Sequence, residues 1–123
     1  SPREAMQTLG TEWGRDLVHP DLWVSTFVDR VRANSALGGR QRYVLEDVRF
    51  QNELHAINEL GGIVVGLMRP GSGTEHAEHA SEVMDFEPDT ILYNGGTLAD
   101  LRERLDEIVE GMAQAQKALP LFA

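Results

Sequence analysis

The chain contains no cysteine, which excludes disulfides, zinc–thiolate sites and thiol nucleophiles. Lysine is almost absent. Lys117 is the only one, so arginine supplies ten of the eleven basic side chains. No Gly-x-x-x-x-Gly-Lys-Ser/Thr phosphate loop occurs, and a single lysine at position 117 leaves no place for one. Positive charge is scarce overall: the formal net charge is -9, which argues against a broad grip on a nucleic-acid polymer. Local arginines can still hold a small anion, because a pocket responds to nearby charges rather than to the total. No apolar run approaches the roughly 20 residues that span a bilayer, so no membrane partner is expected. Ser1-Pro2-Arg3-Glu4 has no signal-peptide character. There is no internal repeat, no low-complexity segment and no Gly-x-Ser-x-Gly elbow, and His79 and Ser81 lie too close for a triad. A cytoplasmic setting suits these absences.

What is present reads as one folded domain over residues 1–123, with 41% hydrophobic residues and mixed charges. Ser1, Pro2 and Glu4 form a helix start: a cap, a proline at the first helical position, and an acid three residues after the cap. Met6, Leu9, Trp13 and Leu17 follow at helical spacing, with Gly10 and Gly14 inside the pattern, and His19-Pro20 ends it. Close backbone approach at the glycines and a broken helix are both open readings. Trp23, Val24, Phe27, Val28 and Val31 define a second apolar helix face. Tyr43-Val44-Leu45 predicts a short buried strand running into Glu46-Asp47-Val48-Arg49. Asn52 is placed to cap a helix carrying Leu54, Ile57 and Leu60, which stops at Gly61-Gly62. Residues 63–68 and 90–93 predict two more strands, the first apolar on both faces as parallel strands are. Residues 71–88 read as a polar, Gly-rich, lid-like loop, with a short helix expected over 78–84. Thr97 and Asp100 suggest a capping box for a last helix through Leu98, Leu101, Leu105, Ile108 and Met112. This order implies an α/β fold, a parallel sheet with flanking helices. Three strands are one too few for such a sheet.

Ligands of open parallel sheets bind beyond the carboxyl ends of the strands. There the chain offers Glu46, Asp47 and Arg49, then Arg69, then Asn94. Acid beside arginine suits a phosphate, although solvated strand ends have the same composition. Arg15 can fork onto a phosphate or pair with Asp16 or Asp21. His76 and His79 with nearby glutamates form no fuller metal-ligand pattern and read as a polar loop, so no metal site is expected. Trp13, Trp23 and Phe27 are expected in the core, with one of them available to border a stacked base.

The ordered set Pro2-Arg3-Glu4-Ala5-Met6-Gln7-Thr8-Leu9-Gly10-Thr11-Glu12-Trp13-Gly14-Arg15, Pro20-Asp21-Leu22-Trp23-Val24, Asp47-Val48-Arg49-Phe50-Gln51-Asn52-Glu53, Gly61-Gly62, Arg69-Pro70-Gly71, His79-Ala80-Ser81-Glu82 and Asn94-Gly95-Gly96-Thr97-Leu98 resembles the phage-type deoxynucleoside monophosphate kinases. It is more distantly similar to animal phosphomevalonate kinases. The resemblance covers about residues 2–110 and implies a P-loop-kinase-like fold, acting in a bacterium or a phage-infected cell. It implies transfer of the γ-phosphoryl group of ATP, with Mg2+, to a small nucleotide substrate. By that likeness Asp47 and Arg49 are catalytic, Gln7, Thr11, Glu12, Arg15 and Trp23 border the acceptor nucleotide, and Arg69 serves the ATP side. His79, Ser81 and Glu82 belong to the lid. Such kinases carry a first strand and phosphate loop ahead of the matching region, and this sequence lacks both. The sequence then reads as the C-terminal part of a longer kinase, as a non-catalytic nucleotide-binding or interaction module, or as a chain whose gap a homo-oligomer fills. A kinase of a non-nucleotide phosphate such as phosphomevalonate is the remaining alternative.

Overall fold

The structure, a computed structural model, describes residues 1–38, 41–70 and 85–118, with side chains through residue 115. Its elements are α1 (Pro2–Gln7), a π-helix (Thr8–Val18), α2 (Leu22–Ala36), α3 (Gln51–Glu59), β1 (Val65–Met68), β2 (Thr90–Tyr93) and α4 (Leu98–Ala118). The described residues divide into two compact units, one of residues 1–65 and 85–90, the other of 66–70 and 91–118.

In the first unit, α1 starts as its sequence predicts. Ser1 Oγ accepts from the Glu4 amide at 3.3 Å, and the Glu4 carboxylate accepts from the Ser1 amine. The helical pattern through Leu9, Trp13 and Leu17 does not continue as α-helix. From Thr8 the backbone widens to i→i+5 bonding, as in the 3.1 Å bond from the His19 amide to the Gly14 carbonyl. The wider turn shifts the α-helical register: Leu9, Trp13 and Leu17 are exposed, as is Met6 in α1, and Gly14 is the buried residue. Trp13, Trp23 and Phe27 are not core residues either. Trp23 lies over the π-helix backbone, and Phe27 meets Tyr43 edge-on with ring centroids 6.1 Å apart.

The core of this unit sits between α3 and the chain entering β1: Leu54, Ile57 and Val64, with Val48 and Phe86 packed against them. The helix ends at Gly61-Gly62 as expected. Gly61 takes φ +82°, its amide bonds to the Asn58 carbonyl, and the Gly62 amide reaches the Ile57 carbonyl at 2.9 Å. This double closure satisfies carbonyls that the last turn would otherwise leave open, and its left-handed residue suits glycine. Two expectations fail here. Asn52 lies inside α3 rather than at its cap, since the helix begins at Gln51. Residues 43–48 form no strand: no described strand lies beside them to take their ladder bonds, and Tyr43, Val44 and Leu45 are exposed.

β1 and β2 pair as a two-stranded sheet; their first residues, Val65 and Thr90, belong to the first unit and the rest to the second. The Val64 carbonyl accepts from the Thr90 amide and the Met68 carbonyl from the Asn94 amide. Four residues along one chain match four along the other, so the pair is parallel, as expected. The strand is shorter than the predicted 63–68 segment and runs from Val65 to Met68. α4 buries the predicted stripe partially, through Leu101, Leu105, Ile108 and Met112, while Leu98 is exposed. The Arg104 guanidinium donates to the Tyr93 carbonyl at 2.6 Å and holds this helix to the end of β2.

The Thr97–Asp100 capping box forms as predicted. The Thr97 amide and hydroxyl both donate to Asp100 Oδ2 at 2.7 Å, and the Asp100 amide donates back to Thr97 Oγ1 at 3.2 Å. The Thr97 backbone bond first, then its hydroxyl, holds the Asp100 carboxyl below its ordinary value of 3.8. A carboxyl with a lowered folded pKa stabilises above its unfolded value, and that contribution fades as pH falls through the folded value. The Thr97 amide resonance is therefore expected to titrate with a midpoint below 3.8. In Thr97→Ser, which keeps both donors, the midpoint stays low. In Thr97→Ala it moves upward, and an unmoved midpoint would contradict the cap.

Candidate functional site

A cleft of about 420 Å³ opens in the first unit between α1, the π-helix, Trp23 of α2 and the turn leading into α3. Arg3, Gln7, Thr11 and Arg15 line it at four-residue steps. In an α-helix of 3.6 residues per turn, four such positions wind steadily off one face. The wider π-helical turn counteracts that drift. The unusual helix therefore has a local consequence: it keeps one polar stripe facing one cleft.

Arg15 is the most enclosed charge in the site, its side chain 12% exposed. The guanidinium carbon stacks 3.6 Å from the centroid of the Phe50 ring. Nη2 donates to Asn52 Oδ1 at 3.1 Å, and Nη1 lies 3.8 Å from Glu53 Oε1. Among the described residues Nη1 makes no hydrogen bond, although it is buried. A buried donor left unmade is costly, and an added acceptor would relieve it.

Glu53 serves both sides of the cleft. While Oε1 faces Arg15, Oε2 accepts from the amides of Arg49 at 2.8 Å and Phe50 at 3.1 Å. Those bonds satisfy two donors at the start of α3, where a negative charge is also favoured by the helix dipole. Arg49 then projects beside Asp47, with Nη2 3.2 Å from Asp47 Oδ1. Asp47 adopts φ +58°, a left-handed conformation that aspartate tolerates better than most residues. It stays 83% exposed, so its pair with Arg49 is open to solvent screening.

The opposite wall is Trp23. Its Nε1 donates to the Gly10 carbonyl at 2.8 Å, and its ring lies so close over Gly14 that a Cβ there would come within 2.6 Å. Gly14 therefore provides the close approach suggested by the sequence. Gly10 does not, since a Cβ there would meet nothing within 4 Å.

Six residues singled out in the sequence thus come together: Gln7, Thr11, Arg15, Trp23, Asp47 and Arg49. Glu12 is exposed and does not line the cleft. Arg69 follows β1 in the other unit, and His79, Ser81 and Glu82 lie outside the described residues. The sequence reading missed Arg3, Phe50, Asn52 and Glu53. The four-residue step from Arg3 to Arg15 was the available signal for the first. Nothing local marks the other three, because their partner is 35–38 positions away. No three acidic or histidine side chains converge among the described residues, so these do not build a cation cage. No helix among them is long and apolar enough to cross a membrane.

Three arginines against two carboxylates make this cleft locally cationic in an acidic chain. With an indole wall opposite and no activated nucleophile, it can hold an anionic group and a flat ring together. Comparison with known proteins adds the family. The model of the deoxynucleotide monophosphate kinases matches residues 1–105, and the chain belongs to that family. A protein of Acanthamoeba polyphaga mimivirus named "Putative deoxynucleotide monophosphate kinase" is 29% identical over 124 residues, 93% of this chain. The chain spans 64% of that relative's length. No solved structure matches it.

Proposed function

We propose that this chain forms the acceptor side of a kinase that transfers the γ-phosphoryl group of ATP to a deoxynucleoside 5′-monophosphate. The observation that carries the reading is Arg15, a desolvated guanidinium with an unmade hydrogen bond, held in a cleft with Arg3 and Arg49. A monophosphate there has its charge met by the arginines that line the cleft, and its base lies against Trp23. In such a reaction an oxygen of the acceptor phosphate bonds to the γ-phosphorus as the bond to the β-phosphate oxygen breaks, releasing ADP. Fixed arginines suit it, because phosphoryl transfer depends on positioning and charge neutralisation more than on a covalent intermediate. ATP with Mg2+ is the donor. The cleft residues described above hold the acceptor alone, and Arg69 is a candidate for the donor side.

Calorimetry with dAMP, dCMP, dGMP and dTMP, each against its nucleoside, tests the acceptor site directly. Binding of at least one monophosphate, weakened strongly when the phosphate is removed, is expected. Turnover of that nucleotide to its diphosphate is expected from the gene's uninterrupted reading frame when ATP and Mg2+ are added. Equal binding of nucleoside and nucleotide, or turnover of phosphomevalonate in place of deoxynucleotides, would overturn the assignment.

A further inference from the structure

We infer that Asn52 is a positioning residue for the acceptor phosphate, linking the start of α2 to the Arg15 fork. The inference rests on the reading of Arg15 as a phosphate ligand and goes beyond it. Asn52 Nδ2 donates to Asp21 Oδ1 at 2.6 Å and to the Pro20 carbonyl at 3.1 Å. Both neighbours are acceptors, so both amide hydrogens are engaged and the amide cannot turn over without placing oxygen against a carboxylate. Its Oδ1 is therefore fixed toward Arg15 Nη2, 3.1 Å away. Asp21 is available for this because it does not cap α2 with its own side chain; its amide donates instead to His19 Nδ1 at 3.0 Å.

The relay Asp21–Asn52–Arg15 connects three segments with a donor and an acceptor on one side chain. Neither leucine nor aspartate can replace it. Leucine offers no acceptor to Nη2, and aspartate would set a second carboxylate at 2.6 Å from Asp21. Phe50 fixes the plane of the guanidinium by stacking, and Asn52 fixes its rotation within that plane. Rotation decides which nitrogens face an incoming phosphate, a requirement of two-pronged recognition.

The experiment measures binding of the tightest of the four deoxynucleoside monophosphates, and of its nucleoside, to the unaltered chain and to variants. Asn52→Leu is expected to weaken the monophosphate about tenfold, the range of one hydrogen bond to a charged group, with nucleoside binding unchanged. In an Arg15→Ala background it should add nothing further, because the two residues act as one unit. The swap Asp21→Asn with Asn52→Asp re-forms a donor facing an acceptor and keeps an oxygen toward Arg15. It is expected to recover most of the affinity that Asn52→Asp alone loses. A merely structural role would weaken both ligands equally, would add to Arg15→Ala and would show no swap recovery; any of these overturns the inference. If Arg15→Ala itself leaves monophosphate binding intact, the phosphate-site reading fails first, a distinct result. Should Asn52→Leu not fold, the swap and its parent variant decide the matter alone.

Discussion

Replacing Arg15 by alanine is expected to weaken binding of a deoxynucleoside monophosphate by about 1.5–3 kcal/mol, roughly 10- to 150-fold. Arg49→Ala is expected to cost less, about 0.5–1.5 kcal/mol, the range of an ordinary net hydrogen bond. Family likeness favours the opposite order, since it makes Asp47 and Arg49 the catalytic pair and Arg15 a substrate-binding residue. Burial reverses it. The Arg15 side chain is 12% exposed and Arg49 35% exposed, so Arg15 meets a bound anion in a lower dielectric with less screening. Arg49 also has a solvent-exposed partner in Asp47 from which it must be drawn away, and exposed pairs of this kind are individually weak. Arg15→Lys separates charge from shape. Lysine retains the positive charge but loses the flat face on Phe50 and the fork toward Asn52, so most of the affinity should still be lost. Calorimetry on the three variants gives the order, and a larger loss for Arg49→Ala would contradict the account.

Much of the local structure was legible because it depends on near neighbours. The Ser1–Glu4 and Thr97–Asp100 boxes each involve residues three apart, and both form. The Gly61-Gly62 stop is likewise settled by the last turn of α3 and one left-handed glycine. The apolar runs around Val65 and Ile91 became strands because each has the other for a partner. Tyr43-Val44-Leu45 has equal strand character but no strand beside it among the described residues, and it stays exposed. Strand propensity marks a segment that fits a sheet, but hydrogen-bonding partners decide whether a strand exists.

The site was legible as a set of residues and illegible as a geometry. Family likeness gathered Gln7, Thr11, Arg15, Trp23, Asp47 and Arg49, and the structure brings those six to one cleft. Local helix-start chemistry gave Asn52 the wrong job, because Asn before a helical pattern usually signals a cap. A long-range demand from Arg15, 37 positions earlier, competes with that local preference and wins. Helix periodicity failed for a related reason. The spacing of Met6, Leu9, Trp13 and Leu17 fits an α-helix, but the wider backbone instead favours the polar stripe from Arg3 to Arg15 and the Trp23 contact. A hydrophobic pattern reports burial only if the backbone keeps the period assumed for it.

Two glycines in that helix should respond to alanine with opposite signs. At Gly10 an added methyl meets open space and the backbone has no left-handed strain, so Gly10→Ala should stabilise by about 0.4–1 kcal/mol through the unfolded chain. At Gly14 the same methyl would lie 2.6–2.8 Å from the Nε1, Cε2 and Cζ2 atoms of Trp23. Those atoms belong to a rigid ring anchored by the bond from Nε1 to the Gly10 carbonyl, so they cannot yield singly. Relief requires the whole indole to move, stretching or losing that bond, and overpacking of this kind costs about 1–3 kcal/mol. The helical advantage of alanine, at most about 1 kcal/mol, offsets only part of it. Thermal unfolding should therefore place Gly10→Ala above the unaltered chain and Gly14→Ala below it. Gly14→Ala with Trp23→Ala removes the clash together with the ring, so adding Gly14→Ala to Trp23→Ala should no longer destabilise. Equal shifts at the two glycines would mean that the indole does not rest on the π-helix, and the cleft would lose the wall that this contact fixes.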